Sequence, residues 1–173
     1  MGPEQFIFIN GIYLEFNYSK IKNLFGSQSG KRVAVGAAFI LYCFERPREV
    51  MVSNLRKHLQ QSLEFEVPVL VQLDAITFMD ARPDLWNWWD ESKPGYNPDN
   101  KNNVEWTSWS ADDAVKIGWL NWGRQIRLKP MPNLMSLRYR QAVAEQMGEF
   151  LDIIMEWYDG LPENKKWLLA GVK

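Results

Sequence analysis

Hydrophobic and polar positions first alternate in short runs. Residues 6–16, "FIFINGIYLEF", hold two apolar runs joined by Asn10-Gly11. Asn-Gly supplies the positive φ angles of a type I′ turn, so the spacing predicts a β-hairpin. With the short helical turn in "YSKIKNLF" and a Gly/Ser connector, residues 1–30 read as an N-terminal hairpin and connector. The pattern then becomes continuous. Residues 32–42, "RVAVGAAFILY", are rich in β-branched side chains and predict a strand buried on both faces. Pro47 suits a first helical turn. Val52, Leu55, Leu59 and Leu63 make one apolar stripe, which predicts a helix over residues 48–63. Residues 67–75, "VPVLVQLDA", predict a second buried strand. A strand–helix–strand unit of this kind should pair in parallel through a right-handed crossover.

After Asp74 all periodicity stops for roughly 35 residues, and a loop of that length in a compact domain is usually functional or disordered. Its aromatic content argues against disorder. Residues 85–109, "LWNWWDESKPGYNPDNKNNVEWTSW", carry five tryptophans. Residues 110–124 read as a short helix, with Ser110 as N-cap and Asp112 and Asp113 at the positive end of its dipole. "LKPMPN" reads as an extended connector. Tyr139, Val143, Met147, Phe150, Ile154 and Trp157 then form the stripe of a long helix over residues 136–158, stopped by Gly160 and Pro162. "KKWLLAGVK" predicts a third strand. The order β, α, β, long excursion, α, β is that of an α/β fold with a parallel sheet. No G-x-G-x-x-G loop is present, and the excursion leaves the C-terminal end of a strand, where barrel enzymes build their sites. The expectation is a partial (β/α)8 TIM barrel over residues 31–173.

Composition narrows the function classes. A chain of 173 residues with 46% hydrophobic and 24% charged content is an ordinary globular domain. A net charge of -1 gives no electrostatic case for a nucleic-acid partner. No apolar run is long enough to span a membrane, and "MGPEQFIFING" lacks the features of a signal peptide. The single cysteine, Cys43, excludes an internal disulfide and reads as an inert buried thiol. The single histidine, His58, reads as a surface or boundary residue of the first long helix, not a general base. No cofactor and no metal are expected, and nothing in the sequence sets a localisation.

The candidate chemistry lies in the excursion. Asp74, at the tip of the second buried strand, is either a binding group or a carboxylate that caps the following loop. Of nine tryptophans, seven lie between Trp86 and Trp122. They fill the space beneath a long loop, or they offer flat indole faces to the apolar C–H face of a sugar ring, with nearby polar groups for its hydroxyls. Asp80, Asp84, Asp90, Glu91 and Glu105 are acids in or beside the loop. Glycoside hydrolysis needs two carboxylates at a set separation, and no pair here is marked out by spacing. Arg82 and Arg124 either pair with these acids or hold a ligand hydroxyl.

The stretches "GKRVAVGAAFI", "VPVLVQLDA", "ARPDLWNWWD", "NPDNKNNVEWTSWS", "WGRQIR", "PNLMS" with "RYR", and "LLAGVK" together resemble a group of glycoside-hydrolase-like TIM-barrel proteins, from Lys31 to Lys173. The resemblance implies a (β/α)8 barrel and a carbohydrate ligand. Such barrels run to roughly 250 residues, so it also implies an N-terminal portion of one, inactive by itself, with the catalytic carboxylates beyond Lys173. "QLDAITFM" departs from the more polar, Trp-containing stretch that the resemblance implies there. The expected binding residues are Asp74, Trp88, Trp89, Glu105 and Arg124, with the two tryptophans stacking on sugar. A half barrel exposes sheet edges, so self-association is expected. The alternative is a complete, non-catalytic module that binds glycan or protein through the tryptophan loop.

Overall fold

The computed structural model describes residues 2–11, 17–76, 79–105, 118–120, 124–126 and 131–173. They form two compact units. The first comprises residues 1–41, 49–73 and 148–173, and the second residues 42–48 and 74–147.

The first unit holds an α/β arrangement around a four-stranded, all-parallel sheet of order β1-β2-β3-β6. Its strands are β1 (Gln5–Gly11), β2 (Val33–Tyr42), β3 (Val69–Asp74) and β6 (Leu169–Val172). This establishes the α/β class. Among the described residues the sheet is open, with β1 and β6 as its edges.

The hairpin expected at the N-terminus does not form as read. Asn10 and Gly11 are strand residues, opposite Ala38 and Phe39 in a parallel pairing with β2. The second run of that expected hairpin, residues 12–16, lies outside the described residues. Parallel pairing suits the side chains on one face. Phe6 and Phe8 stack at 5.9 Å, and they lie opposite Ala34 and Gly36. Gly36 is a place where only glycine fits, since a Cβ would lie 2.5 Å from the Pro68 carbonyl oxygen and 3.0 Å from the Phe8 ring. Small residues on β2 thus accept the aromatic rings of β1, a tertiary preference that outweighs the local turn signal of Asn-Gly.

Helix α1 (Tyr18–Phe25) starts at Asn17, whose side chain accepts the Lys20 N–H at 3.0 Å. Its Tyr18 hydroxyl hydrogen-bonds Nδ1 of His58 at 3.0 Å. The His58 ring also stacks on Phe39 at 4.2 Å and is buried. His58 is therefore a core residue, not the surface or boundary residue that its spacing suggested. Gln28 is fully buried and joins α1 to β2. Its Oε1 accepts the Val35 N–H at 2.8 Å and its Nε2 donates to the Gly26 carbonyl at 2.7 Å.

Helix α2 (Arg48–Phe65) buries Met51, Leu55, His58, Leu59 and Ser62. The buried stripe is rotated from the expected one, because Met51 and His58 are buried while Val52 and Leu63 are not. Glu66 ends the helix with φ +55°, a left-handed cap. Ser62 Oγ donates to the Val67 carbonyl at 2.8 Å, and Lys165 pairs with Glu66. A 3-10 turn (Glu163–Leu168) leads into β6, which pairs in parallel with β3.

The second unit has no large sheet among its described residues. It contains α3 (Pro83–Trp86), a 3-10 turn (Pro98–Asn103), and a two-stranded antiparallel ribbon of β4 (Gly118–Leu120) and β5 (Arg124–Ile126). The ribbon replaces the end of the short helix expected over residues 110–124. Residues 110–117, with its expected cap Ser110, lie outside the described residues. Helix α4 (Leu137–Asp159) gives residues 137–147 to this unit and the rest to the first. Among the described residues no helix is long and apolar enough to cross a membrane.

Candidate functional site

Among the described residues the tryptophan segment has no ladder of its own, so its backbone polar groups need other partners. Side-chain amides supply them. Asn87 is fully buried. Its Nδ2 donates to the carbonyls of Asp90 and Pro94 at 3.0 and 3.1 Å, and its Oδ1 accepts the Asp90 N–H at 3.1 Å. Asn100, also fully buried, donates to the Asn87 and Gly95 carbonyls at 3.1 and 3.0 Å. Its Oδ1 accepts from Arg138 at 3.1 Å. Asn103 accepts the Ser136 hydroxyl at 2.6 Å. Three buried asparagines thus do for this loop what a sheet ladder does for a strand, and they tie it to the start of α4. Gly95 completes the turn with φ +76°, where a Cβ would lie 2.4 Å from the Asp84 nitrogen.

The loop is also held from its other side. The Ala81 N–H donates to the Phe44 carbonyl at 2.8 Å. The Arg82 guanidinium lies 5.3 Å from the centre of the Phe44 ring and makes a two-point contact with Asp84 at 2.9 and 2.8 Å. Of its two expected roles, Arg82 takes the ion pair, and this guanidinium holds the Asp84 carboxyl below its ordinary range. Phe44 meets Tyr139 edge-on at 6.3 Å, and the Tyr139 hydroxyl donates to the Ala75 carbonyl at 2.7 Å.

On this frame sit three tryptophans. Trp86 Nε1–H donates to the Met79 carbonyl at 2.8 Å, which fixes that indole as a structural member. Trp89 lies 5.3 Å from Trp86, tilted by 31°, and 5.5 Å from Trp88, edge-on at 76°. Trp88 is half-buried. Trp89 stays 42% exposed although rings flank it on two sides.

The other expected site residues fall in different surroundings. Asp74 stands at the C-terminal tip of β3. Its Oδ1 accepts the Ile76 N–H at 2.8 Å and its carbonyl accepts the Cys43 N–H at 2.7 Å, so it caps the start of the loop. Burial, and then the Asp74 charge, push the Cys43 thiol up to about 12 and raise the Tyr42 and Tyr139 hydroxyls above their ordinary range. These three groups are neutral at physiological pH. Glu105 is exposed, and its N–H donates to the Met131 carbonyl at 2.9 Å. Arg124 lies in β5 opposite Leu120, and its side chain is outside the described residues. The structure therefore brings Trp88 and Trp89 together and gives Asp74 a local capping role.

The loop acids have local partners as well. Asp90 accepts from the Ser92 hydroxyl at 2.6 Å and from Lys93 at 3.0 Å, and these bonds lower its carboxyl. Glu91 accepts the Tyr96 hydroxyl at 3.0 Å. Among the described residues no group of three or more His, Cys, Asp or Glu could hold a metal ion. The residues that sequence reasoning missed are Asn87, Asn100 and Asn103. Their signal was present in the density of amides within an aromatic, aperiodic stretch. Comparison of the chain with protein-family models, with curated proteins and with solved structures returned no match.

Proposed function

We propose that the chain belongs to a glycoside-hydrolase-like (β/α)8 barrel and that its second unit binds carbohydrate through the aromatic loop. In this reading β1, β2, β3 and β6 are four of the barrel strands, and the loop rises from the C-terminal end of β3, the side on which barrels bind their ligands. The observation that carries the proposal is Trp89. A large indole costs the most to leave in water, yet this one is 42% exposed and braced by Trp86 and Trp88. A rigid, exposed aromatic face stacks on a pyranose without losing side-chain freedom on binding. Asp74, Glu105 and Arg124 are the polar groups assigned to sugar hydroxyls.

Binding rather than cleavage is the activity assigned to this chain. Asp74, Asp84, Asp90 and Glu91 are engaged by neighbours in their own segments. Cleavage needs two carboxylates spaced around a glycosidic bond, and in the barrel reading further strands supply them.

Isothermal calorimetry against a panel of neutral linear oligosaccharides tests this. At least one should bind, and Trp89→Ala should weaken it at least about tenfold, or about 1.4 kcal/mol, while Trp89→Phe retains most of the affinity. A panel without heat, or full affinity in Trp89→Ala, would refute the assignment.

A further inference from the structure

Helices α2 and α4 leave a gap between them within the first unit. Arg56, Leu59 and Leu63 line it from α2, and Ile153, Glu156 and Trp157 from α4. Each set is spaced by three and four residues, so each is one face of its helix. The gap holds about 350 Å³, within the ~300–1,000 Å³ of small-ligand sites. Leu59 and Ile153 are buried and form its floor, while Leu63 is 37% exposed at its side.

Two polar features stand at this apolar gap. Trp157 is half-buried, and its Nε1–H is buried with no acceptor among the described residues. A buried indole N–H ordinarily has a partner. Arg56 reaches across from α2 to Glu156 on α4, through one nitrogen–oxygen approach of 3.5 Å between side chains that are 57% and 72% exposed. An exposed pair of this kind contributes little, and a guanidinium has five N–H groups to offer. A better-placed anion therefore displaces Glu156 at small cost. The gap is apolar along its walls and rich in donors at Arg56 and Trp157.

We propose that this gap binds a medium-chain aliphatic carboxylate. The hydrocarbon lies along Leu59, Leu63 and Ile153. The carboxylate takes the Arg56 guanidinium in a two-point contact, the geometry in which that pairing is strongest. Side-chain adjustment of the kind common on binding brings the Trp157 N–H to the same carboxylate. From Arg56 to Leu63 the axis of α2 rises about 10 Å, the length of an extended octanoate. The site uses none of the residues assigned to sugar, so the two readings stand or fall separately.

The test is a nitrogen–proton NMR titration of the full chain with octanoate, the Trp157 indole signal being assigned through Trp157→Phe. That signal should shift in a saturable way. Octan-1-ol, which has the same chain without the charge, should bind at least tenfold more weakly, and this comparison needs no variant. Arg56→Gln should weaken octanoate at least tenfold. Glu156→Gln should tighten it severalfold, because the guanidinium is then unshared and a like charge is gone. Both variants change exposed side chains, so their circular dichroism spectra should match that of the unaltered chain. An unmoved Trp157 signal would overturn the proposal. So would equal affinity for octanoate and octan-1-ol, or an affinity indifferent to Arg56 and Glu156, since either would mean hydrophobic adsorption without a carboxylate site.

Discussion

Asn100 shows how a residue of low local propensity can organise a long segment. It is fully buried and bonded at both ends of its amide, to two loop carbonyls and to Arg138. Asn100→Ala removes a donor to the Asn87 and Gly95 carbonyls at a fully buried position, which costs about 2 kcal/mol. Urea unfolding should register this as a lower midpoint with an unchanged slope. Trp89, on the other hand, is 42% exposed, so its removal should change stability far less than it changes ligand affinity. Asp84 gives a pH signature. Arg82 holds its carboxyl below the ordinary range, so the folded pKa lies under the unfolded value of about 3.9. The stability that it contributes is fully present above that unfolded value and is lost as pH falls through the folded one. Thermal melts of Asp84→Asn should fall below wild type at neutral pH, and the difference should shrink in acid.

Helix α4 is the longest element and contains one weak point, Gly148. Nothing lies within 4 Å of where its Cβ would be. A glycine inside a helix costs roughly 0.5–1 kcal/mol relative to alanine. Gly148→Ala should therefore raise the unfolding free energy by that amount, read as a higher urea midpoint at unchanged slope, and a lower midpoint would show that the position is occupied in solution. The same helix shows why the regular elements were legible. Its stripe from Tyr139 to Trp157 predicted residues 136–158, and the helix spans Leu137–Asp159. Strands β2 and β3 and helix α2 were equally readable, because continuous apolar runs and a 3.6-residue period survive any tertiary context. The failures lie where local and tertiary signals compete. Asn10-Gly11 announces a turn, but the small residues Ala34 and Gly36 offer Phe6 and Phe8 a place in the sheet. The residues before Arg124 read as helical, but Gly118–Leu120 pair as a ribbon.

For the whole molecule, the sequence made the parallel α/β class and the anomaly of the aromatic loop legible, and not the way the loop is held. Amide networks leave no period in a sequence, because each asparagine serves carbonyls chosen by the path of the chain. Two compact units divide the work, one built on the sheet and one on side-chain hydrogen bonds. The loop unit offers Trp89, on which the proposed carbohydrate binding rests. The most direct test is a nitrogen–proton NMR spectrum of the tryptophan side chains, titrated with the oligosaccharides used in calorimetry. The Trp89 indole signal, assigned through Trp89→Phe, should shift in a saturable way. That of Trp86, bound to the Met79 carbonyl, should stay in place. A Trp89 signal unmoved by every sugar would contradict the assignment of this loop as a carbohydrate site.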